Sequence, residues 1–280
     1  MKKYVILVAM FICMLSLLGL YFDKEKQEES SKNVLRVGAE CDYVPNSWEE
    51  SRPSNSNHPI ANNEGFYAEG YDIQIAKIVA SNIEVDLEIK KFAWNDLIPA
   101  LLNGEIDAIF SSMLDTEERK KLVAFSDPYE AAGTEYAIIV DSVGPFISAT
   151  SLKDFTGAKI VGERGTKFDE VIDQIPGVVH LKPVETIQGM MDMVLQEKAD
   201  GAVIDVDTGH FHELLNKGLT LVKFSGDNGF KLGFHGVCAG VRKEDAELLH
   251  RINIALSKIS KTERKNIMID ATSRMMTNAQ

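Results

Sequence analysis

Cysteine and positive charge are both scarce in this chain. Of three cysteines in 280 residues, Cys13 falls inside an apolar N-terminal run, which leaves Cys41 and Cys238. Both would face the oxidising side of a membrane, so a bridge is chemically allowed. Separation in sequence establishes none, and two separate buried thiols is the reading adopted. Thirty Lys and Arg stand against 42 Asp and Glu, a formal net charge of −12. Setting aside Lys2 and Lys3 takes the rest of the chain to −14. A nucleic-acid partner, which needs a basic footprint, is therefore not expected. Also missing are G-x-G-x-x-G, G-K-[ST], H-E-x-x-H and C-x-x-C, along with any nucleophile elbow around Ser or Cys. His210 and His212 stand two apart on a predicted helix, so they face different sides and do not suggest a metal pair. No metal or cofactor is expected.

What is present begins with a membrane-directed N-terminus. Two lysines precede Tyr4–Phe22, 19 residues without a charge. At ~1.5 Å per residue such a helix would be ~28 Å long, close to a bilayer core. Lysines before it and Asp23 after it predict that the remainder lies outside the cytoplasm. Leu17-Leu18-Gly19-Leu20 is a poor cleavage site, which favours a retained anchor over a cleaved signal across residues 1–22. Residues 23–33 contain no apolar side chain and read as a tether. Beyond it, an apolar content of 45% and a charged content of 26% are those of an ordinary globular protein.

The chain is organised around WNDLIPALLNGEIDAIFSSMLDTEERKKLVAFSDPY, from Trp94 to Tyr129. Leu97, Ile98, Leu101 and Leu102 recur at helical spacing, with Asn95 placed to cap and Gly104 to stop the helix. Asp107–Phe110 is a short apolar run suited to a buried parallel strand. The polar pair Ser111-Ser112 follows at its carboxyl end, where open α/β sheets bind ligands. Asp115 or Thr116 caps the next helix. Arg119, nine positions after Phe110, adds a fork of donors to those two hydroxyls and suits an anion. A solvated surface arginine is the plain alternative.

Elsewhere Val34–Gly38, Val85–Phe92, Glu135–Val140, Lys159–Gly162, Gly201–Asp205, Leu219–Phe224 and Gly236–Val241 read as strands. Helices follow Gly70 (stripe Ile73, Ala76, Val79, Ala80, Ile83), Thr186 and Glu247, and a last helix starts near Lys261. Residues 46–63, dense in Ser, Asn and Pro, read as a loop. Met190 and Met191 fall on a core stripe and not on a metal site. Alternating strands and helices give an α/β fold with open, mostly parallel sheets.

The pattern W-x-x-LIPAL-x-x-G-x-x-DAI, then T-x-x-R-K, then F-S-x-PY, resembles the signature of the bacterial extracellular solute-binding proteins of family 3. These are the amino-acid receptors of ABC importers, and the likeness runs from about Val34 to Met268. It implies a two-lobed, periplasmic-binding-protein-like (type II) fold with two hinge strands. Lobe 1 would take residues 34–131 and 240–280, and lobe 2 residues 132–239. It also implies an amino-acid ligand, an ABC permease as partner, and a place on the extracytoplasmic face of the cell membrane, or in the periplasm after cleavage.

Site residues follow from the same resemblance. Arg119 would clamp the ligand α-carboxylate with Ser111 and the backbone of Ser112. The turn at Thr166 and Lys167 would add donors, with Lys167 where a second Thr is common. Asp205 would bind the ammonium, its plain alternative being a helix cap. Tyr43 would flank the ligand. Glu40 aligns with an acid that meets a cationic side chain in some members, or is an unremarkable exposed glutamate. Trp94 would be a pocket wall or a core residue, and Trp48, in a loop near Tyr43, would cover the ligand. Leu114 departs from the pattern, standing where a hydroxyl is common. A dehydratase-like enzyme acting on a carboxylate, or a ligand-sensing module, are the rival functions on this fold.

Overall fold

The computed structural model describes residues 34–131, 135–232 and 236–278. The apolar run 4–22 and the segment 23–33 lie outside the described residues. Two mixed sheets of five strands each organise the rest. The first has the spatial order Asp86–Lys91, Val34–Ala39, Ala108–Ile109, Gly240–Val241, Ala124–Phe125. The first three strands run parallel, and Gly240–Val241 lies antiparallel to both neighbours. The second sheet has the order Val179–His180, Lys159–Val161, Gly201–Asp205, Tyr136–Asp141, Leu219–Val222. There Tyr136–Asp141 is the strand that runs against its neighbours. The sheets are mostly parallel, as expected, each with one reversed strand. In each sheet the reversed strand is the one the chain enters directly from the hinge, without a helical crossover to set its direction.

A two-stranded antiparallel ladder joins the two halves, pairing Glu130–Ala131 with Gly236–Val237. The single strand expected over 236–241 is thus two short ones, Gly236–Val237 in the hinge and Gly240–Val241 in the sheet. Each sheet has its own core. Leu35, Val37, Ile73, Ile75, Val79, Ile89, Phe110, Ile252 and Leu256 pack around the first, and Ile138, Ile139, Phe155, Ile160, Met190, Met191, Val203 and Ile204 around the second. Both methionines are therefore core. The helix Tyr71–Asn82 buries the expected stripe. Its start needs Gly70, whose φ is +124° and whose added Cβ would stand 2.3 Å from the Asn46 carbonyl oxygen.

Three local expectations are corrected. Asn95 is not a cap: Trp94–Asp96 is a 3₁₀ turn leading into the helix Leu97–Leu102, with no capping side-chain hydrogen bond. Residues 46–63 are not all loop. Ser47–Glu50 and His58–Pro59 pair with Asp42–Tyr43 and Tyr67–Glu69 in a small antiparallel sheet. These polar strands carry no alternating apolar signal, since backbone pairing alone defines them. Trp48 is consequently not an exposed loop residue. It is 8% exposed in the first core and donates its indole N–H to Glu50 Oε1 at 2.7 Å. Cys41 and Cys238 are separate buried thiols.

Candidate ligand-binding site

A cleft of about 600 Å³, part of it continuous with solvent, lies between the two halves. Strand ends from both sheets supply its walls, because side chains just beyond a strand's carboxyl end escape the sheet and face the crevice. Glu40 and Tyr43 come from the end of Val34–Ala39, Ser111 and Ser112 from the end of Ala108–Ile109, and Glu163 and Thr166 from the end of Lys159–Val161. Hydrogen bonds between the described residues of the two halves hold the cleft closed. Tyr43 Oη donates to Asp205 Oδ2 (2.7 Å), Thr208 Oγ1 to Val44 O (2.7 Å), Trp94 Nε1 to Gly165 O (3.0 Å) and Arg119 Nη2 to Gly165 O (3.2 Å).

Arg119 is set by its helix, which is one turn long. Thr116 caps it by accepting the Arg119 backbone N–H, as its position in the sequence predicts. The guanidinium lies 4.9 Å from the Trp94 ring centroid and donates from Nη1 to Leu114 O at 3.0 Å. These contacts occupy two of its five donors and fix the plane of the rest. Burial opposes its charge, lowering its pKa from the ordinary value. A buried guanidinium with remaining donors is an anion clamp in form. Trp94 meets both of its readings, packing on the core at Leu97 and Leu101 while lining the cleft.

The serine pair is engaged differently from expectation. Ser111 Oγ accepts the Glu40 backbone N–H at 3.0 Å. Ser112, in the left-handed region at φ +49°, turns its hydroxyl to Asp72 Oδ2 at 2.9 Å, and its N–H also serves Asp72. Asp72 is wholly buried and takes a third bond from Tyr129 Oη at 2.7 Å. Burial pushes its carboxyl up to about 7. Ser112 thus fastens the loop to the first helix. Thr166 caps the helix at Lys167–Glu170 by accepting Phe168 N–H, and the Lys167 ammonium pairs with Glu170. Both line the cleft opposite Arg119.

Asp205 does cap a helix, through Oδ1 to Thr208 N–H at 3.0 Å. Its other oxygen takes the Tyr43 hydroxyl, so it stands at the cleft's edge behind that ring. Burial is the largest influence on it and raises its pKa. Rings from both halves form an apolar wall: Tyr43 meets Phe168 edge-on at 6.3 Å, and Phe168 lies 5.1 Å from Tyr136.

Glu40 is buried, and it shares a hydrogen bond with Glu163 of the other half, itself 2% exposed. Burial raises both carboxyls, Glu163 further, because two adjacent buried acids cannot both ionise. The pair is held together around one shared proton. Sequence reasoning missed Glu163, Glu130, Tyr136, Phe168 and Asn46, all of which line the cleft. Glu163 was findable: it follows a strand end in the second half as Glu40 does in the first. Two expected site residues do not line the cleft: Trp48 is buried in the first core, and Asp205 stands behind Tyr43.

The whole arrangement is a closed, two-lobed trap with an arginine at one point and acids at others, and solved relatives share its fold. L-arginine-binding protein of Pseudomonas aeruginosa is 26% identical over 92% of this chain and 92% of its own length. The probable amino-acid-binding protein YxeM of Bacillus subtilis is 28% identical over 93% of this chain and 91% of its own. Among solved structures, the truncated, arginine-bound ArgBP of T. maritima superposes with a TM-score of 0.67 at 28% identity, covering 84% of this chain and all of that one. The molecule is a substrate-binding receptor of the amino-acid ABC importer class and not an enzyme. The family profile spans residues 35–269, nearly every residue of both sheets and the hinge, and the chain belongs to the bacterial extracellular solute-binding proteins, family 3.

Proposed function

We propose that this receptor captures an amino acid with a cationic side chain and delivers it to an ABC permease. The observation that carries the reading is the meeting of Glu40 and Glu163 across the closed cleft. Two buried acids are held together at the cost of one ionisation, an arrangement that a guanidinium or ammonium placed between them would relieve. Arg119, with Thr166 and Lys167 facing it, would take the α-carboxylate. Asp205 would take the α-ammonium. Tyr43, Trp94, Tyr136 and Phe168 would enclose the aliphatic stem. Ser111 would hold Glu40 in place through its backbone. Two of the relatives above are named for arginine or solved with it, which supports the same cargo class.

In this reading residues 34–131 with 240–280 form one lobe and 132–239 the other, swinging about the ladder Glu130–Ala131 with Gly236–Val237. Ligand shifts the population towards the closed state by contacting both lobes at once. Residues 1–22 would keep the receptor at the outer face of the membrane beside its permease, with 23–33 as the tether. The selectivity is tested with Glu40→Gln. Calorimetry should show L-arginine and L-lysine weakened roughly 10- to 100-fold, the loss of one charge-assisted hydrogen bond, while a neutral amino acid is weakened far less. Equal weakening of charged and neutral ligands would remove Glu40 from the side-chain pocket.

A further inference from the structure

A third carboxyl lines the cleft beside those of Glu40 and Glu163, and the contacts described above give it no task. Glu130 sits on the hinge strand Glu130–Ala131, directly opposite Val237 in the ladder. Val237 is bridged on its other side to Leu114. The neighbours of Glu130 along this row are therefore apolar. Its Oε2 is buried and has no hydrogen-bond partner among the described residues. A buried carboxyl oxygen without a partner carries a desolvation cost that no hydrogen bond offsets, so its retention calls for an explanation.

The row also fixes where this carboxyl lies relative to the clamp. Leu114, two positions along the row from Glu130, offers its carbonyl to the Arg119 guanidinium. Asp205, Asp72 and Asp207 are the charged groups that act on Glu130, and the phenols of Tyr43, Tyr71 and Tyr129 are close enough to feel its charge while donating to other acceptors. Glu130 stands on the hinge strand, whereas Glu40 and Glu163 follow strand ends of the two sheets. An α-amino acid carries its carboxylate and ammonium on neighbouring atoms. A carboxylate on Arg119 brings the ammonium to this row.

We propose that Glu130 is a second carboxylate acceptor for the ligand α-ammonium, acting beside Asp205. The inference rests on the amino-acid reading above and extends it to the hinge. Burial and the three neighbouring aspartates push the Glu130 carboxyl up to about 8, so it is mostly protonated at neutral pH before ligand arrives. An ammonium set against it favours the ionised form. The carboxyl proton passes to solvent, and the charged pair forms in its place. Binding at pH 7 therefore releases close to one proton from this group. No such release is expected from Tyr71 or Tyr129, whose pKa values burial also raises and which stay protonated throughout.

The test compares the wild-type protein with Glu130→Gln by calorimetry in two buffers of different ionisation enthalpy, using L-arginine and its 2-hydroxy analogue. The analogue keeps the carboxylate and guanidinium and replaces only the ammonium. Glu130→Gln should weaken L-arginine roughly 10- to 100-fold, the loss of one charge-assisted hydrogen bond. It should lower proton release by close to one and change binding of the analogue by less than about two-fold. Equal weakening of both ligands would make Glu130 a structural residue, and unchanged affinity with unchanged proton release would overturn the proposal outright. If wild-type protein prefers a neutral amino acid, the side-chain reading alone falls. The same comparison with that amino acid and its 2-hydroxy acid then decides the role of Glu130.

Discussion

Arg119 illustrates how one side chain can be poised by its surroundings. Trp94 beneath it, Leu114 O and Gly165 O beside it hold the guanidinium where water is largely excluded. Arg119→Ala should cost ~2–5 kcal/mol of ligand affinity, the loss seen when a buried charge pair is cut in half. Arg119→Lys should recover little of it, because a point charge does not replace a planar fork. Titration calorimetry measures both, and near-wild-type binding by the alanine variant would remove Arg119 from the clamp. This residue was legible in the sequence from its place after a strand-end serine pair. Glu40 and Tyr43 were legible for the same reason. Glu130 was not, because a lone acid after F-S-x-PY carries no periodicity, and only the hinge register reveals that it points into the cleft. Ser112 was legible as a loop residue but its partner, Asp72, lies 40 positions away.

Among the elements, the Gly165 turn joins local geometry to closure. It takes φ +71°, and its carbonyl accepts from both Trp94 and Arg119. An added Cβ would stand 2.4 Å from Asn95 Oδ1 of the facing half. Gly165→Ala therefore carries two penalties. The left-handed backbone costs about 1–2 kcal/mol in every state, while the clash arises only when the cleft is closed. Ligand affinity should fall by more than the unfolding free energy does, and equal losses would refute the claim that this turn reports closure. Most helices and both main sheets could be read from hydrophobic periodicity, because each buries a continuous stripe. The small sheet containing Ser47–Glu50 and His58–Pro59 could not, since polar strands held by backbone pairing leave no such stripe. Strand direction was partly hidden too, because it follows from where the hinge delivers the chain.

At the scale of the molecule, the buried acids make stability and affinity respond to pH in opposite directions. Glu130 is raised to about 8 and Asp72 to about 7, both above their unfolded values. A group raised on folding contributes stability that is complete below its unfolded pKa and is lost as pH climbs through the folded one. The ligand-free protein should therefore melt at lower temperature at about pH 8 than at about pH 6. His212, buried and lowered to about 4, sets the opposite trend below its unfolded value of about 6.5, so it offsets part of the gain at pH 6. A cationic ligand favours the ionised acids, so affinity should strengthen over the same rise in pH. The central claim, a receptor for amino acids with cationic side chains, is tested most directly by calorimetric titration of the wild-type protein with L-arginine, L-lysine, L-glutamine and L-glutamate at both pH values. The account predicts tight binding of arginine or lysine, tighter at the higher pH, with glutamine weaker and glutamate excluded by Glu40 and Glu163. Preferred binding of glutamine or glutamate, or cationic binding that weakens as pH rises, would contradict it.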